Sequence, residues 1–170
     1  MAWKASVLVV ANVTAASDEL LEALTTRAAR DDAEFTLVVP ATGGGKVGRE
    51  AAKARLDAAV ARMRAAGLEV DARIGDPDPV MAVQDVWDPS KFDEVIVSTL
   101  PTGASKWLLV DLPHRVQRMT DAPVTHVVAR ERKAVTPRQA PERRKSSGLL
   151  EPLTVLGWGK HADEEPGAQR

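Results

Sequence analysis

The sequence contains no cysteine among its 170 residues, which excludes disulfide bonds, thiolate catalysis and metal sites built from thiolates. Its three histidines, His114, His126 and His161, are far apart and show no metal-ligand spacing. Positive and negative charges nearly balance, and the formal net charge is −1. The protein as a whole therefore has no electrostatic attraction toward nucleic acids or membranes.

No apolar run in the sequence is long enough to cross a membrane. The first run covers residues 5–11, and no small-residue cleavage site follows it as in a signal peptide. We therefore expect a soluble, cytoplasmic protein. Its length suits one domain with room for a tail.

Short valine-rich runs recur along the first three quarters of the chain. Residues 5–11, 35–40 and 94–98 are typical of strands buried on both faces, as in a parallel sheet. Residues 68–74 alternate between apolar and polar side chains, which indicates a strand at or near a sheet edge. Residues 123–129 form the last predicted strand.

Apolar residues at helical spacing predict four helices between these strands, at residues 18–30, 49–66, 80–87 and 112–120. Ser17 and Asp111 are expected to cap the first and the last helix with their side-chain oxygens. Alternating strands and helices imply parallel pairing and right-handed crossovers. The sequence therefore predicts an α/β fold with one open, doubly wound, parallel sheet of five strands and helices on both faces.

The character of the chain changes after residue 130, so we predict a domain at residues 1–130 and a tail at residues 131–170. Residues 130–145 hold seven basic and two acidic side chains without apolar periodicity, which indicates a solvated linker. The linker has no interleaved aromatics for base stacking, so nucleic acid binding is not expected. Residues 149–158 form an apolar patch that docks on this domain, on a dimer mate or on a partner protein.

Ligands of doubly wound sheets bind beyond the carboxyl ends of the strands, at the topological switch point. This rule selects residues 12–14, 40–46 and 98–106. The last of these segments offers hydroxyl groups at Ser98, Thr99, Thr102 and Ser105, a cation at Lys106 and a permissive turn at Gly103. Two interpretations stay open, an anion site and an ordinary surface loop.

Three other features have a plain structural interpretation. The segment 43–46 is Gly-Gly-Gly-Lys but lacks the hydroxyl residue that a phosphate-binding loop requires next, so we expect a flexible loop. Asp76 and Asp78 are expected to cap the short third helix and its turn. His114 is expected to face solvent, and His126 to belong to the packing of the last strand.

The order of these segments resembles the universal stress protein family over residues 5–129. Residues 8–12, Leu-Val-Val-Ala-Asn, look like the end of the family's first strand and the turn after it. Gly75-Asp-Pro looks like the turn after the third strand, and residues 94–128 look like the C-terminal half. The resemblance implies the strand order 3-2-1-4-5 and a homodimer that pairs through residues 123–129.

ATP-binding members of this family carry a Gly-x2-Gly-x9-Gly-Ser/Thr motif, whose backbone N–H groups cradle the phosphates. The resemblance places Ser98, Pro101, Asp111 and Leu112 at the four motif positions, and Asn12 at the acidic residue that contacts the nucleoside. Pro101 has no N–H group. A capping carboxylate at Asp111 would occupy the helix donors and repel a phosphate. We therefore expect ATP binding in the family's usual pose to be weakened or lost.

We expect a non-catalytic stress-response binding or regulatory module, because no general base or metal ligand accompanies the loop. One alternative is a nucleotide-independent docking module that acts through its tail, and a weaker one is an ATP-binding stress protein. No cofactor is firmly indicated, and ATP or another anion is the candidate ligand. The candidate ligand-binding residues are Asn12, Thr14, Pro40, Ser98, Thr99, Thr102, Gly103, Ser105, Lys106 and Asp111.

Overall fold

The computed structural model describes residues 4–101 and 111–130, and all of them lie in the first of the two units into which the chain divides after residue 134. The strands are β1 (Ala5–Val10), β2 (Ala33–Pro40), β3 (Glu69–Gly75), β4 (Glu94–Thr99) and β5 (Val124–Val128). The helices of the described residues are α1 (Asp18–Arg30), α2 (Gly45–Ala65), α3 (Pro79–Gln84) and α4 (Leu112–Thr120). The predicted tail lies outside the described residues.

The five strands form one parallel sheet in the order β3-β2-β1-β4-β5. This arrangement confirms the predicted α/β fold and the strand order that the resemblance implied. The chain builds outward from β1 to β2 and β3, and then returns to the other side of β1 for β4 and β5. The topological switch point therefore lies at the carboxyl ends of β1 and β4.

The central strand is buried on both faces, which explains its continuous apolar sequence. Val7 and Val9 pack under α1 and α2, whereas Leu8 and Val10 face the core beneath α3 and α4. All four side chains are fully buried. Each helix contributes a buried pair to these two cores: Leu20 and Leu24, Ala52 and Ala59, Ala82 and Val83, and Leu112 and Val116.

Side-chain caps fix the starts of α1 and α3 as the sequence predicted. Ser17 Oγ accepts a hydrogen bond from the Leu20 backbone N–H at 3.2 Å. Asp78 Oδ1 accepts one from the Val80 N–H at 2.7 Å, and Asp76 Oδ1 accepts one from the Asp78 N–H at 2.8 Å. The acidic side chains of this turn thus organise the backbone that leads into α3.

The start of α2 differs from the prediction. The helix begins at Gly45, one turn before residue 49, and so takes up half of the segment that was predicted to be a flexible loop. Gly43 and Gly44 enter it with positive φ angles of 97° and 65°, which suit glycine. Gly48 then packs so closely that a Cβ would lie 2.9 Å from the Ala41 carbonyl oxygen.

Other boundaries shift by a few residues. β2 begins at Ala33, two residues before the prediction, because Ala33 pairs with Ala5 and is buried there. α3 ends at Gln84 and β3 begins at Glu69. Within residues 4–101 and 111–130, no helix has both the length and the hydrophobicity needed to cross a membrane.

Candidate ligand-binding site

Asn12 follows β1 at the switch point, and both ends of its carboxamide are occupied. Its Nδ2 donates a hydrogen bond to Thr42 Oγ1 at 2.8 Å, and its Oδ1 accepts one from Arg55 Nη1 at 2.9 Å. Asn12 is 9% exposed. The side chain therefore joins the end of β1 to the loop after β2 and to α2. These contacts use one N–H and one oxygen lone pair of the carboxamide, so fewer of its hydrogen-bonding groups are left for a ligand.

A second contact joins the loop after β1 to the end of β4. Thr14 Oγ1 donates a hydrogen bond to the backbone carbonyl of Ser98 at 3.1 Å, and both residues are buried. Ser98 Oγ is also buried, but it has no hydrogen-bond partner among the residues that the structure describes. Leaving a buried hydroxyl unpaired costs about 1–3 kcal/mol. Ser98 is therefore a polar group at the switch point whose hydrogen-bonding capacity is unused.

Thr99 faces the opposite side of β4, toward α4. Its Oγ1 lies 2.7 Å from Nε2 of His126 on the neighbouring strand β5. Partial desolvation by the neighbouring protein is the larger cause that lowers the pKa of His126, although the residue is exposed, and the nearby His114 lowers it further. The predicted packing role of His126 is wrong, because the residue is exposed on the edge strand β5. Its contact with Thr99 could not be predicted, because the two residues are 27 positions apart in sequence.

The predicted cap at Asp111 is wrong. Asp111 precedes α4 in the left-handed region, with φ 53° and ψ 44°, and its side chain makes no capping hydrogen bond. The side chain that caps a helix projects from an extended residue, as Ser17 does with φ −73° and ψ 156°. Asp111 Oδ1 instead lies 2.6 Å from His114 Nδ1. The Asp111 carboxylate therefore leaves the first N–H groups of α4 without a side-chain cap.

His114 is mostly exposed, as predicted, although its ring is paired with Asp111. Pro40 is the last residue of β2, and its carbonyl accepts a hydrogen bond from the Thr42 N–H at 2.9 Å. Thr102, Gly103, Ser105 and Lys106 lie outside the described residues. No group of three or more potential metal-ligating side chains occurs in the part of the chain that the structure describes.

The structure thus divides the predicted site residues into two groups. Asn12, Thr14, Pro40 and Ser98 lie at the adjoining ends of β1, β2 and β4, whereas Thr99 and Asp111 lie on the α4 side. Sequence reasoning missed three partners, Thr42, Arg55 and His126. Thr42 was within the predicted strand-end loop, but Arg55 carried no signal because it looked like an ordinary polar residue of α2.

A separate cavity of about 570 Å³ lies at the ends of β2 and β3. Its walls carry charges of opposite sign, with Lys46 and Arg49 from the start of α2 facing Asp76 and Asp85 from the α3 side. No ion pair within 4.0 Å crosses the cavity between these described residues. The cavity lies to the side of the switch point and shares no lining residue with the Asn12, Thr14 and Ser98 contacts.

No protein-family model matches the chain, and no curated protein matches it. Solved structures do match it. A universal stress protein in complex with cAMP is 21% identical, with a TM-score of 0.57 and coverage of 76% of this chain and 99% of that one. The chain has the universal stress protein fold.

Two further structures with this fold come from an archaeon and a plant. The universal stress protein from Archaeoglobus fulgidus in complex with dAMP is 17% identical, with a TM-score of 0.56, and covers 75% of this chain and 99% of that one. A universal stress protein family protein from Arabidopsis thaliana with AMP bound is 16% identical, with a TM-score of 0.51. The match covers 75% of this chain and 93% of the Arabidopsis chain.

On the universal stress protein fold, the predicted motif positions fall at the end of β4 and the start of α4. Ser98 is the fifth residue of β4, Pro101 follows that strand, and Asp111 immediately precedes α4. All three positions hold residues other than glycine. The sheet topology therefore places Ser98 and Pro101 at the carboxyl end of β4, next to Asn12 and Thr14 at the end of β1.

Proposed function

We propose that this chain is a non-catalytic stress-response binding module that takes a small anionic ligand at the carboxyl ends of β1 and β4. We further propose that ATP binding in the pose of the ATP-binding universal stress proteins is weakened. The observation that carries this proposal is the internal engagement of Asn12 by Thr42 and Arg55. The cAMP, dAMP and AMP named with the matching structures support a nucleotide-like ligand class.

The engagement of Asn12 sets an energetic cost for a nucleoside in the usual position. A nucleoside that takes over Asn12 must leave Arg55 or Thr42 without its present partner. An unmet hydrogen bond costs about 1–3 kcal/mol, which corresponds to roughly a 5- to 150-fold loss of affinity. Pro101 adds to this effect because it cannot donate an N–H to a phosphate.

Two features still favour an anion at the phosphate end of the site. Ser98 Oγ is buried without a partner within residues 4–101 and 111–130, so it can donate to an anionic oxygen without losing a bond to any of these residues. The first turn of α4 has no side-chain cap, and its N–H groups carry the positive end of the helix dipole. The Asp111 carboxylate opposes this attraction, since it lies at the same helix terminus. These opposing effects favour weak binding of a small anion over tight binding of a triphosphate.

A non-catalytic role is supported by the way the polar side chains are used. The Asn12 carboxamide is occupied on both sides, and His126 Nε2 is in contact with Thr99. A general base needs a free acceptor within reach of the substrate. Neither the Asn12 carboxamide nor His126 Nε2 therefore offers a free acceptor for a general base at the carboxyl ends of β1 and β4.

The same proposal includes a cytoplasmic homodimer that pairs through β5. Among the described strands, β5 pairs with β4 alone, so its other edge is open. Val128 is 47% exposed on this strand. An open edge with apolar side chains favours pairing with a second copy. Docking through residues 149–158 stays a prediction, since that segment lies outside the described residues.

Calorimetric titration of cAMP, AMP and ATP into the full-length protein tests the ligand site. We expect cAMP and AMP to bind weakly, ATP to bind no more tightly than AMP, and incubation with ATP to release no product. Ser98→Ala should weaken binding about tenfold, whereas the matched control Ser6→Ala at the amino end of β1 should not. Tight ATP binding, or nucleotide binding that Ser98→Ala leaves unchanged, would contradict the proposal.

A further inference from the structure

The contact between Thr99 and His126 joins the end of β4 to the edge strand β5. Thr99 is 2% exposed, and its Oγ1 is 2.7 Å from His126 Nε2. The backbone closes the same corner, because the Ala129 N–H donates to the Thr99 carbonyl at 2.8 Å. A change at the His126 ring is therefore transmitted directly to the last residue of β4.

The charges around His126 come from α4. His126 lies on the same face of β5 as Val124, which packs against α4. The charged or titratable side chains at the start and along α4 are Asp111, His114, Arg115 and Arg118, and His114 is the one that lowers the pKa of His126. The helix α1 packs on the opposite face of the sheet, where its Glu19 lies 3.9 Å from Arg130. On the β4 side, the partner of His126 is the uncharged Thr99 hydroxyl.

The protonation state of His126 decides what Thr99 can do. A neutral imidazole nitrogen can accept the Thr99 hydroxyl proton, whereas an imidazolium ring has two N–H donors and no acceptor. After proton uptake, Thr99 can only accept from His126, and its own O–H proton is free to turn toward another acceptor. In either tautomer of the neutral ring, proton uptake also adds one positive charge beside the end of β4.

We propose that proton uptake by His126 strengthens anion binding at the carboxyl end of β4, so that the site responds to pH. This inference deepens the proposed function and rests on it, because it concerns the same site. The physical basis is the added positive charge, and where the neutral ring carries its proton on Nδ1 the released Thr99 hydroxyl proton adds to it. Coupling of this kind is reciprocal, so a bound anion raises the proton affinity of His126 by the same factor by which proton uptake raises the anion affinity, and the pKa of His126 rises by the logarithm of that factor.

An NMR titration of the histidine rings tests the coupling without a nucleotide. Sulfate is the probe, because its charge is constant between about pH 5 and 8. We expect the pKa of His126 to be about half a unit higher in sodium sulfate than in sodium chloride of equal ionic strength. The His126→Gln variant assigns the signal. An unchanged pKa of His126 in saturating sulfate would overturn the inference.

The second test compares the affinity for cAMP at pH 5.5 and pH 7.5. The phosphodiester of cAMP keeps one negative charge between these pH values, so a change in affinity comes from the protein. The full-length protein should bind cAMP up to about threefold more tightly at pH 5.5 than at pH 7.5, because half a pKa unit sets a limiting ratio of about three. His126→Gln should abolish this ratio, because glutamine keeps a hydrogen-bond partner for Thr99 but cannot take up the proton. The control Arg118→Gln removes a charge of α4 that does not titrate here, so it should keep the wild-type ratio.

The outcomes separate this inference from the proposed function. A His126→Gln protein with the wild-type pH ratio contradicts the inference, even if cAMP binds well. If cAMP fails to bind at both pH values, the proposed ligand site is contradicted. The sulfate effect on the His126 pKa then decides the inference by itself, because it needs no nucleotide.

Discussion

Arg55 extends from α2 to donate a hydrogen bond to Asn12 Oδ1, 2.9 Å away at the end of β1. The two residues are 43 positions apart in sequence, and the parallel sheet brings them together. The resemblance to the universal stress proteins predicts that Asn12 corresponds to the acidic residue with which ATP-binding members contact the nucleoside. Asn12 therefore acts as part of the scaffold in this chain.

Replacing Arg55 with methionine should open the nucleoside end of the site. Methionine keeps an apolar stem but removes the donor, so Asn12 Oδ1 becomes free to accept from a ligand. We expect the affinity for AMP to rise about fivefold and the free energy of unfolding to fall by about 1 kcal/mol. Calorimetry and urea unfolding measure the two effects.

The matched control for this variant is Arg64→Met on the same helix, which removes a hydrogen bond from Arg64 to the Val70 carbonyl, away from the switch point. It should alter the stability but leave the AMP affinity unchanged. A lower AMP affinity of Arg55→Met would mean that Arg55 itself contacts the ligand, contrary to the account given above.

Ser98 and Thr14 should respond in opposite ways to loss of their hydroxyl groups. Ser98 Oγ has no partner in the described part of the chain, so Ser98→Ala should leave the free energy of unfolding unchanged or raise it slightly. Thr14→Val removes the donor to the Ser98 carbonyl and should lower that free energy by about 1–2 kcal/mol. Urea unfolding of the two variants decides the point, and a marked loss of stability in Ser98→Ala would show that its hydroxyl has a structural partner.

Restoring glycine at two motif positions should restore nucleotide phosphate binding. The double variant Pro101→Gly, Asp111→Gly regains an N–H donor at residue 101 and removes the carboxylate from the start of α4. Glycine also suits the left-handed backbone of residue 111. We expect the affinity for ATP to rise at least about tenfold, as measured by calorimetry.

The variant Asp111→Asn serves as the control for charge alone, since asparagine tolerates the left-handed region but has no negative charge. It should give a smaller gain than the double variant. An ATP affinity that does not change in the double variant would mean that the altered motif positions do not limit nucleotide binding.

The stability of the protein should depend on the titration of His126. The pKa of His126 is lowered by folding from its ordinary value of 6.5, so the unfolded chain binds more protons in the interval between the two pKa values. His126 therefore contributes stability that is fully present above about pH 6.5 and is lost as the pH falls through the folded-state value. Urea unfolding between pH 5 and 7.5 should show this slope, and His126→Gln should reduce it. An equal slope in the variant would contradict the assignment to His126.

The fold was predictable because its main determinants are local. The apolar run around Val7 to Val10 indicated a buried central strand, and the acidic residues at Asp76 and Asp78 indicated the turn and cap before α3. The start of α2 was not predictable in the same way, since Gly45 has a low helix propensity. Gly48 in the first turn lies so close to the Ala41 carbonyl that a larger residue would not fit there, a contact that depends on the tertiary structure.

The side-chain chemistry of the site was less predictable, because its partners are distant in sequence. The Asn12 contact to Arg55 and the Thr99 contact to His126 depend on which helix and strand the sheet topology places side by side. The error at Asp111 has another cause. The residue type favoured a cap, but the left-handed backbone and the nearby His114 direct its carboxylate elsewhere.

The most direct test of the account is native mass spectrometry of freshly purified full-length protein, followed by denaturing extraction and nucleotide analysis. The account predicts a dimer without stoichiometric ATP, because Asn12 is engaged by Arg55 and Thr42 and because Pro101 offers no donor. One ATP bound per chain would contradict it and would mean that a nucleotide displaces the Asn12 contacts at little cost.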